Sequence, residues 1–124
     1  MDYLRKIFVF GSNLSGWHGR GAAREAKDRY GAKQGKGVGH FGGSYAIPTK
    51  GYGPKLPILS LNVISKYVNE FVDFAKAHPD WEFNITPIGT GLAGYAHSEI
   101  APLFKDCPEN CNLPEEWKIY LTKE

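Results

Sequence analysis

The chain has 124 residues, 42% apolar and 23% charged, with 15 glycines, two cysteines and a formal net charge of +2. That length and composition fit one globular domain over 1–124 with its own core, and they exclude a collagen repeat, a disulfide framework and a transmembrane helix. Fifteen Lys and Arg against 13 Asp and Glu leave no cationic surplus to argue for nucleic acid. The segment Met1 to Lys6 lacks the apolar stretch of a signal peptide, so a cytoplasmic protein with no membrane partner is expected.

Ile7-Phe8-Val9-Phe10 is a short apolar run between polar neighbours. It predicts a buried strand over Lys6 to Phe10. Gly11-Ser12-Asn13 stops the run, and a glycine-rich bend leads through Gly19-Arg20-Gly21 into a helix over Gly21 to Tyr30. Ala22, Ala23 and Ala26 give that helix a small face for close packing, and Arg24, Glu25, Lys27 and Asp28 give it a solvated one. Gly31 stands in the usual C′ place. Gly35 to Gly43 is too rich in glycine for regular structure and is expected to be a loop, either mobile or laid against a ligand.

Ser44 to Ile47 predicts a short strand closed by Pro48, Thr49 to Pro57 a loop, and Ile58-Leu59 a small strand. The longest helix is expected over Leu61 to Ala77. There Ile64, Tyr67, Val68, Phe71, Phe74, Ala75 and His78 recur at spacings of three and four. Ser60 is its N-cap candidate and Pro79 its stop. Trp81 to Ile88 alternates Trp81, Phe83 and Ile85, reads as a strand and runs into a second glycine loop. A short helix over Ser98 to Phe104 and a final strand within Leu113 to Leu121 complete the chain. Strands alternating with helices argue for an α/β domain, a mixed or parallel sheet flanked by helices. Cys107 and Cys111 read as reduced thiols in a loop, with half a metal site or a redox pair as the functional alternative.

Strand, glycine loop and helix in succession aim backbone N–H groups and a positive helix end at an anion. The first such loop supplies Gly11, Ser12, Asn13, Gly19, Arg20, Gly21 and Ala22. The second supplies Gly89, Thr90, Gly91, Leu92, Ala93, Gly94 and Tyr95. Each follows a strand, so both should lie at the carboxyl edge of the sheet, where ligands bind in open α/β folds. Two phosphate-sized cradles on one edge imply a dinucleotide-like ligand. No Walker lysine pattern is present, and no G-x-G-x-x-G follows the first strand, so kinase-like and dehydrogenase-like readings lack support. Asn13 either touches the ligand or holds a turn. His18 is either an acid/base or anion donor, or a loop histidine with no such task. Arg20 and Lys50 either neutralise phosphate or are solvated. His40 in the glycine-rich loop is a candidate to cover the ligand, and His78 suits a helix end. Tyr67, Phe71 and Phe74 read as core, and Trp117 as packing.

Val9 to Asn13 (V-F-G-S-N), the glycine-alanine loop Gly19 to Ala23, and Pro87 to Tyr95 (P-I-G-T-G-L-A-G-Y) together resemble the macro domain, a fold that binds ADP-ribose and related metabolites. The chain is also similar, over Ile7 to Trp117, to short uncharacterised bacterial and phage proteins. Those share F-G-S-N-L-x-G-x-H-G-x-G-A-A, S-Y-A-I-P-T-K and I-G-x-G-L-A-G-Y. By position, the resemblance implies that Asn13 hydrogen-bonds the distal ribose. It implies that Gly19, Arg20, Gly21 and Ala22 close over that ribose and one phosphate. Gly89 to Tyr95 would hold the diphosphate, with Tyr95 beside the ribose. The family's adenine-reading aspartate follows a longer N-terminal segment than Met1 to Lys6, which leaves Asp2 as its candidate counterpart. The function so implied is binding of ADP-ribose or a related nucleotide diphosphate. Hydrolysis of an ADP-ribosyl bond is the enzymatic version, with Asn13 orienting the ribose and His18 assisting proton transfer. A non-catalytic reader or sequestering module is the alternative, and a small interaction protein whose glycine loops are only turns is a third. No cofactor and no metal ion is expected.

Overall fold

Alternate residues of the first strand face opposite ways, and that alternation organises the two layers around it. The strand β1, Arg5–Asn13, turns Ile7 and Val9 to one face and Phe8 and Phe10 to the other. The computed structural model describes residues 2–53 and 55–121. After β1 come α1 (Gly21–Arg29), β2 (Gly39–Phe41), β3 (Ser44–Lys50), α2 (Leu61–Ala77) and β4 (Trp81–Ile85). Then α3 (His97–Ile100) runs into a 3₁₀ turn (Ala101–Phe104), followed by β5 (Cys111–Asn112), a second 3₁₀ turn (Glu115–Trp117) and α4 (Lys118–Leu121).

These strands form one mixed sheet in the order β2-β3-β1-β4-β5. The strand β1 lies between β3 and β4 and is parallel to both, with Phe8 opposite Ser44 on one side and Asn84 on the other. β5 is parallel to β4, and β2 is antiparallel to β3. The chain steps from β1 through α1 to β2 and β3 on one side, then crosses by α2 to β4 on the other. Right-handed crossovers in opposite directions put the two helices on opposite faces. The larger core joins Ile7, Val9, Ile47 and Phe83 of the sheet to Ile64, Val68, Phe71 and Ala75 of α2, and takes in Phe104 and Trp117. The smaller core sets Phe10 and Ala46 against Ala26. Alanines let α1 approach closely, and Tyr30 stacks on Phe8 with ring centroids 4.4 Å apart.

The helix α2 starts as its sequence dictates: the Ser60 side chain accepts from the Val63 N–H at 3.3 Å. Its end is held by a residue of no obvious sequence signal. Asn110, buried before β5, points its amide nitrogen at the carbonyls of Ala75, His78 and Trp81, at 3.2, 2.9 and 3.0 Å. Those groups close the helix and open β4, so one side chain ties three segments together. No helix among the described residues is long and apolar enough to cross a membrane.

Several expectations need correction. β1 runs on to Asn13, because Gly11 and Ser12 still pair with Ile47 and Pro48. Pro48 does not close β3. Beyond Ala46 the outer side of β3 has lost β2, so the missing N–H faces no partner strand. The loop Gly35 to Gly43 contains β2. The small strand at Ile58 is a single bridge to Lys50. β4 stops at Ile85, where Thr86 turns its hydroxyl onto the Val9 carbonyl at 2.8 Å. The tail carries no final strand: Trp117, Ile119 and Tyr120 lie in its 3₁₀ turn and α4. Trp117 is fully buried and donates its indole N–H to His97 at 3.0 Å, whereas Ile119 is 77% exposed. A strand would have put those two on one face. Helical spacing instead pairs Trp117 with Leu121, which packs on the same core.

Cys107 and Cys111 are free thiols, half-buried at the start of β5. The hydrogen bond that the Cys107 thiol donates to Cys111, and then burial, push the Cys107 thiol well above its ordinary range, so it is a poor nucleophile. Among the described residues no group of three or more His, Cys, Asp or Glu side chains converges to hold a metal ion.

Candidate functional site

Because β1, β3 and β4 are parallel, Asn13, Lys50 and Ile85 end at one edge. The crossovers diverge to opposite faces there, and the resulting crevice opens into a cavity of about 660 Å³. Its floor is the ends of β1 and β3: Gly11, Ser12, Asn13, Thr49 and Lys50. One wall is Trp17 and the start of α1, from Gly19 to Ala23. The other is the chain leaving β4, with Thr86, Pro87, Ile88, Gly89, Gly91, Leu92 and Ala93, and Leu56 adds to the rim. Among the described lining residues Arg20 and Lys50 are charged, both cationic, and no Asp, Glu, His or Cys is present.

Two stretches of backbone form the facing walls of the cavity, the start of α1 and the loop after β4. The helix α1 opens on Arg20, in extended conformation, with no side-chain cap and no acidic residue in its first turn. The first N–H groups of a helix have no intrahelical acceptor, so those of Gly21, Ala22 and Ala23 are left to the cavity. In the second loop, turns are closed by the Tyr95 N–H on the Gly89 carbonyl at 2.9 Å and the Gly94 N–H on the Gly91 carbonyl at 3.0 Å. Gly89 and Gly94 have φ of +79° and +81°, conformations that glycine adopts without strain. Gly91 lies outside that region, and a Cβ built on it meets nothing within 4 Å. Its place in the cavity wall, rather than its backbone angle, is what leaves room there.

The structure brings together most of the residues singled out in the sequence: Gly11, Ser12, Asn13, Gly19, Arg20, Gly21, Ala22, Lys50, Gly89, Gly91, Leu92 and Ala93 line the cavity. Four others do not. Thr90 turns its hydroxyl onto the Pro87 carbonyl at 2.6 Å, and Gly94 closes a turn. Tyr95 packs against the large core and donates its hydroxyl to the Leu59 carbonyl at 2.5 Å. That contact ties the second loop to the start of α2.

His18 is the fourth, and here the expectation is corrected. Its ring is fully buried and packs edge-on against Phe10, with centroids 5.3 Å apart. Nε2 lies 3.0 Å from both the Lys33 and the Lys36 carbonyls, so it is the donor nitrogen, shared between them. Nδ1 is buried and has no partner among the described residues. The backbone N–H donates to the Gln34 side chain at 3.0 Å. Sealed from the cavity, the ring pins the 33–36 segment to the α1 face of the sheet and is not placed to move a proton at the ligand. His18→Ala should therefore lower stability by about 2 kcal/mol in urea unfolding, through lost packing and loss of the Nε2 donor shared by the Lys33 and Lys36 carbonyls. An unchanged midpoint would show that the ring does not hold that segment.

His40 sits away from this edge, on β2, between Phe74 and Trp81, with Nε2 2.8 Å from the Gly42 carbonyl. Burial lowers its pKa despite that hydrogen bond. It does not cover the cavity, and neither Asp2 nor His78 lines it. The segment from Gly35 to Gly43 does not line the cavity. It packs on the end of β1, where Ser12 Oγ donates to the Gly37 carbonyl at 2.5 Å and the Gly35 N–H to the Gly16 carbonyl at 2.8 Å. Trp17, Ala23, Thr49, Leu56, Thr86, Pro87 and Ile88 are lining residues that the sequence did not single out. Trp17 alone carried a usable signal, as a large aromatic inside a glycine loop.

No protein-family model and no curated protein matches this chain. A solved structure of a protein of unknown function from Bacteroides thetaiotaomicron is similar to it. The TM-score is 0.63 at 17% identity, over 82% of this chain and 79% of that one, a likeness of fold alone.

Proposed function

We propose that the cavity binds ADP-ribose or a related nucleotide diphosphate, and that the protein is a reader or sequestering module for such a ligand. The observation that carries this reading is the edge crevice itself. It has the volume of a small-molecule site, cationic but no anionic side chains among its described lining, and the uncapped start of α1 and the glycine-rich loop after β4 as its walls. The diphosphate lies between the start of α1 and the segment Gly91 to Ala93, with Arg20 and Lys50 as counter-charges. Binding is favoured over catalysis because the lining offers no side chain with an ordinary pKa near neutrality. A hydrolase built this way would depend on the substrate's own phosphate to activate water.

ADP-ribose at about 100 times its Kd should stabilise the native state by about 2.7 kcal/mol, which raises Tm by several degrees. Phosphate-free adenosine should give little shift. Absence of any shift at millimolar ADP-ribose would remove the reading. Release of free ADP-ribose from an ADP-ribosylated protein by the wild type, followed by chromatography, would convert the binder into an enzyme.

A further inference from the structure

Trp17 stands on the cavity wall with 64% of its surface exposed, while Trp117 is fully buried and Trp81 half-buried. Leaving an indole in water forgoes the burial that usually holds one in place. This one is held by other means. At the end of β1, the Asn13 amide nitrogen donates to the Trp17 carbonyl at 2.9 Å, and its oxygen accepts from the Trp17 N–H at 3.0 Å. Both backbone polar groups of Trp17 are thus fixed by one side chain that is itself only 7% exposed. The indole then lies over Gly19, where a Cβ would come 2.6 Å from its Nε1. Gly19 leads through Arg20 directly into the uncapped start of α1. An exposed aromatic face on an anchored backbone therefore adjoins the uncapped start of α1.

We propose that Trp17 is the surface on which the heteroaromatic base of the nucleotide stacks, with Asn13 as its positioning residue. The proposal rests on the nucleotide-diphosphate reading of the same cavity and adds where the base goes. It also gives Asn13 a different task from the ribose contact implied by resemblance, because its amide oxygen and one amide hydrogen are already engaged with Trp17. Stacking on an indole tolerates different bases, since every base has a π face. A base is then held in place without being selected, and Asp2 is not needed to hold it.

The test is a titration of the full chain by calorimetry and by tryptophan emission. ADP-ribose should quench emission in the wild type, and this change should vanish in Trp17→Phe, whose affinity stays close to the wild type because a ring is kept. Trp17→Ala should weaken ADP-ribose binding about tenfold or more. The same variant should leave the affinity for base-free ribose 5-phosphate unchanged. Gly19→Ala, which displaces the indole without removing it, should reproduce the loss. Asn13→Ala should weaken ADP-ribose several-fold on its own and add nothing in a Trp17→Ala background, because a residue acting only through Trp17 is non-additive with it. Equal ADP-ribose affinity in the wild type and Trp17→Ala overturns the stacking and leaves the cavity reading standing. Additive losses in the double variant overturn the positioning role of Asn13. If the wild type binds no ADP-ribose, the nucleotide-diphosphate reading fails, and AMP and UMP decide the stacking: quenching lost in Trp17→Phe supports it, and no quenching by either overturns it.

Discussion

Gly37→Ala should destabilise the protein by about 3 kcal/mol or more, a large cost for one methyl group. A Cβ at this position would lie 1.9 Å from the Asn13 carbonyl oxygen and 3.2 Å from the Gly16 nitrogen. Both atoms are backbone, so no rotamer change relieves the overlap. The same oxygen already accepts from the Gly16 N–H at 2.9 Å, and the Gly37 carbonyl accepts from buried Ser12. Moving any of them breaks a hydrogen bond at the end of the central strand. Gly35→Ala is the control. Its Cβ meets nothing within 4 Å, but its φ is +89°, so only backbone strain of roughly 1 kcal/mol is expected. Urea unfolding of the two variants should give that order. A Gly37→Ala protein as stable as Gly35→Ala would mean that this segment does not press on the end of β1.

Those contacts show why the glycine-rich stretch was hard to interpret from sequence. Glycine marks close approach of a backbone to something, and sequence does not say whether that is a ligand or another part of the chain. Here Gly91 faces the cavity, while Gly16 and Gly37 face each other's loops. The central strands and the two long helices were legible, because a strand buried on both faces and a helix with one apolar stripe each leave a pattern of their own period. The edge strands β2 and β5, three and two residues long, are too short to carry a period. Their pairing is decided by β3 and β4, the neighbours that recruit them. The tail misled because Trp117, Ile119 and Tyr120 mimic alternation when only Trp117 is buried. His18 was legible as unusual and not as buried. A histidine between Trp and Gly in a loop gives no sign that carbonyls fifteen and eighteen residues away will enclose it.

Gly91→Val should reduce ADP-ribose affinity by about 100-fold or more while leaving stability within about 0.5 kcal/mol of the wild type. The position allows this separation of binding from folding. Gly91 is exposed, lines the cavity, lies outside the left-handed region, and has open space where a side chain would grow. Valine therefore fits the fold without a clash and fills cavity volume beside the N–H groups that would hold the diphosphate. A loss of about 100-fold corresponds to about 2.8 kcal/mol, roughly what displacing charge-assisted hydrogen bonds to one phosphate should cost. Gly89→Ala, two residues away, should behave in the opposite way. Its φ is +79° and its Cβ would come 2.9 Å from Ile100 in the core, so it should lose stability first and binding as a consequence. Calorimetry and urea unfolding on both variants distinguish occlusion of the site from damage to the fold. Unchanged affinity in a stable Gly91→Val protein would show that the second loop does not hold phosphate. The ligand would then have to be carried by the start of α1, Arg20 and Lys50 alone.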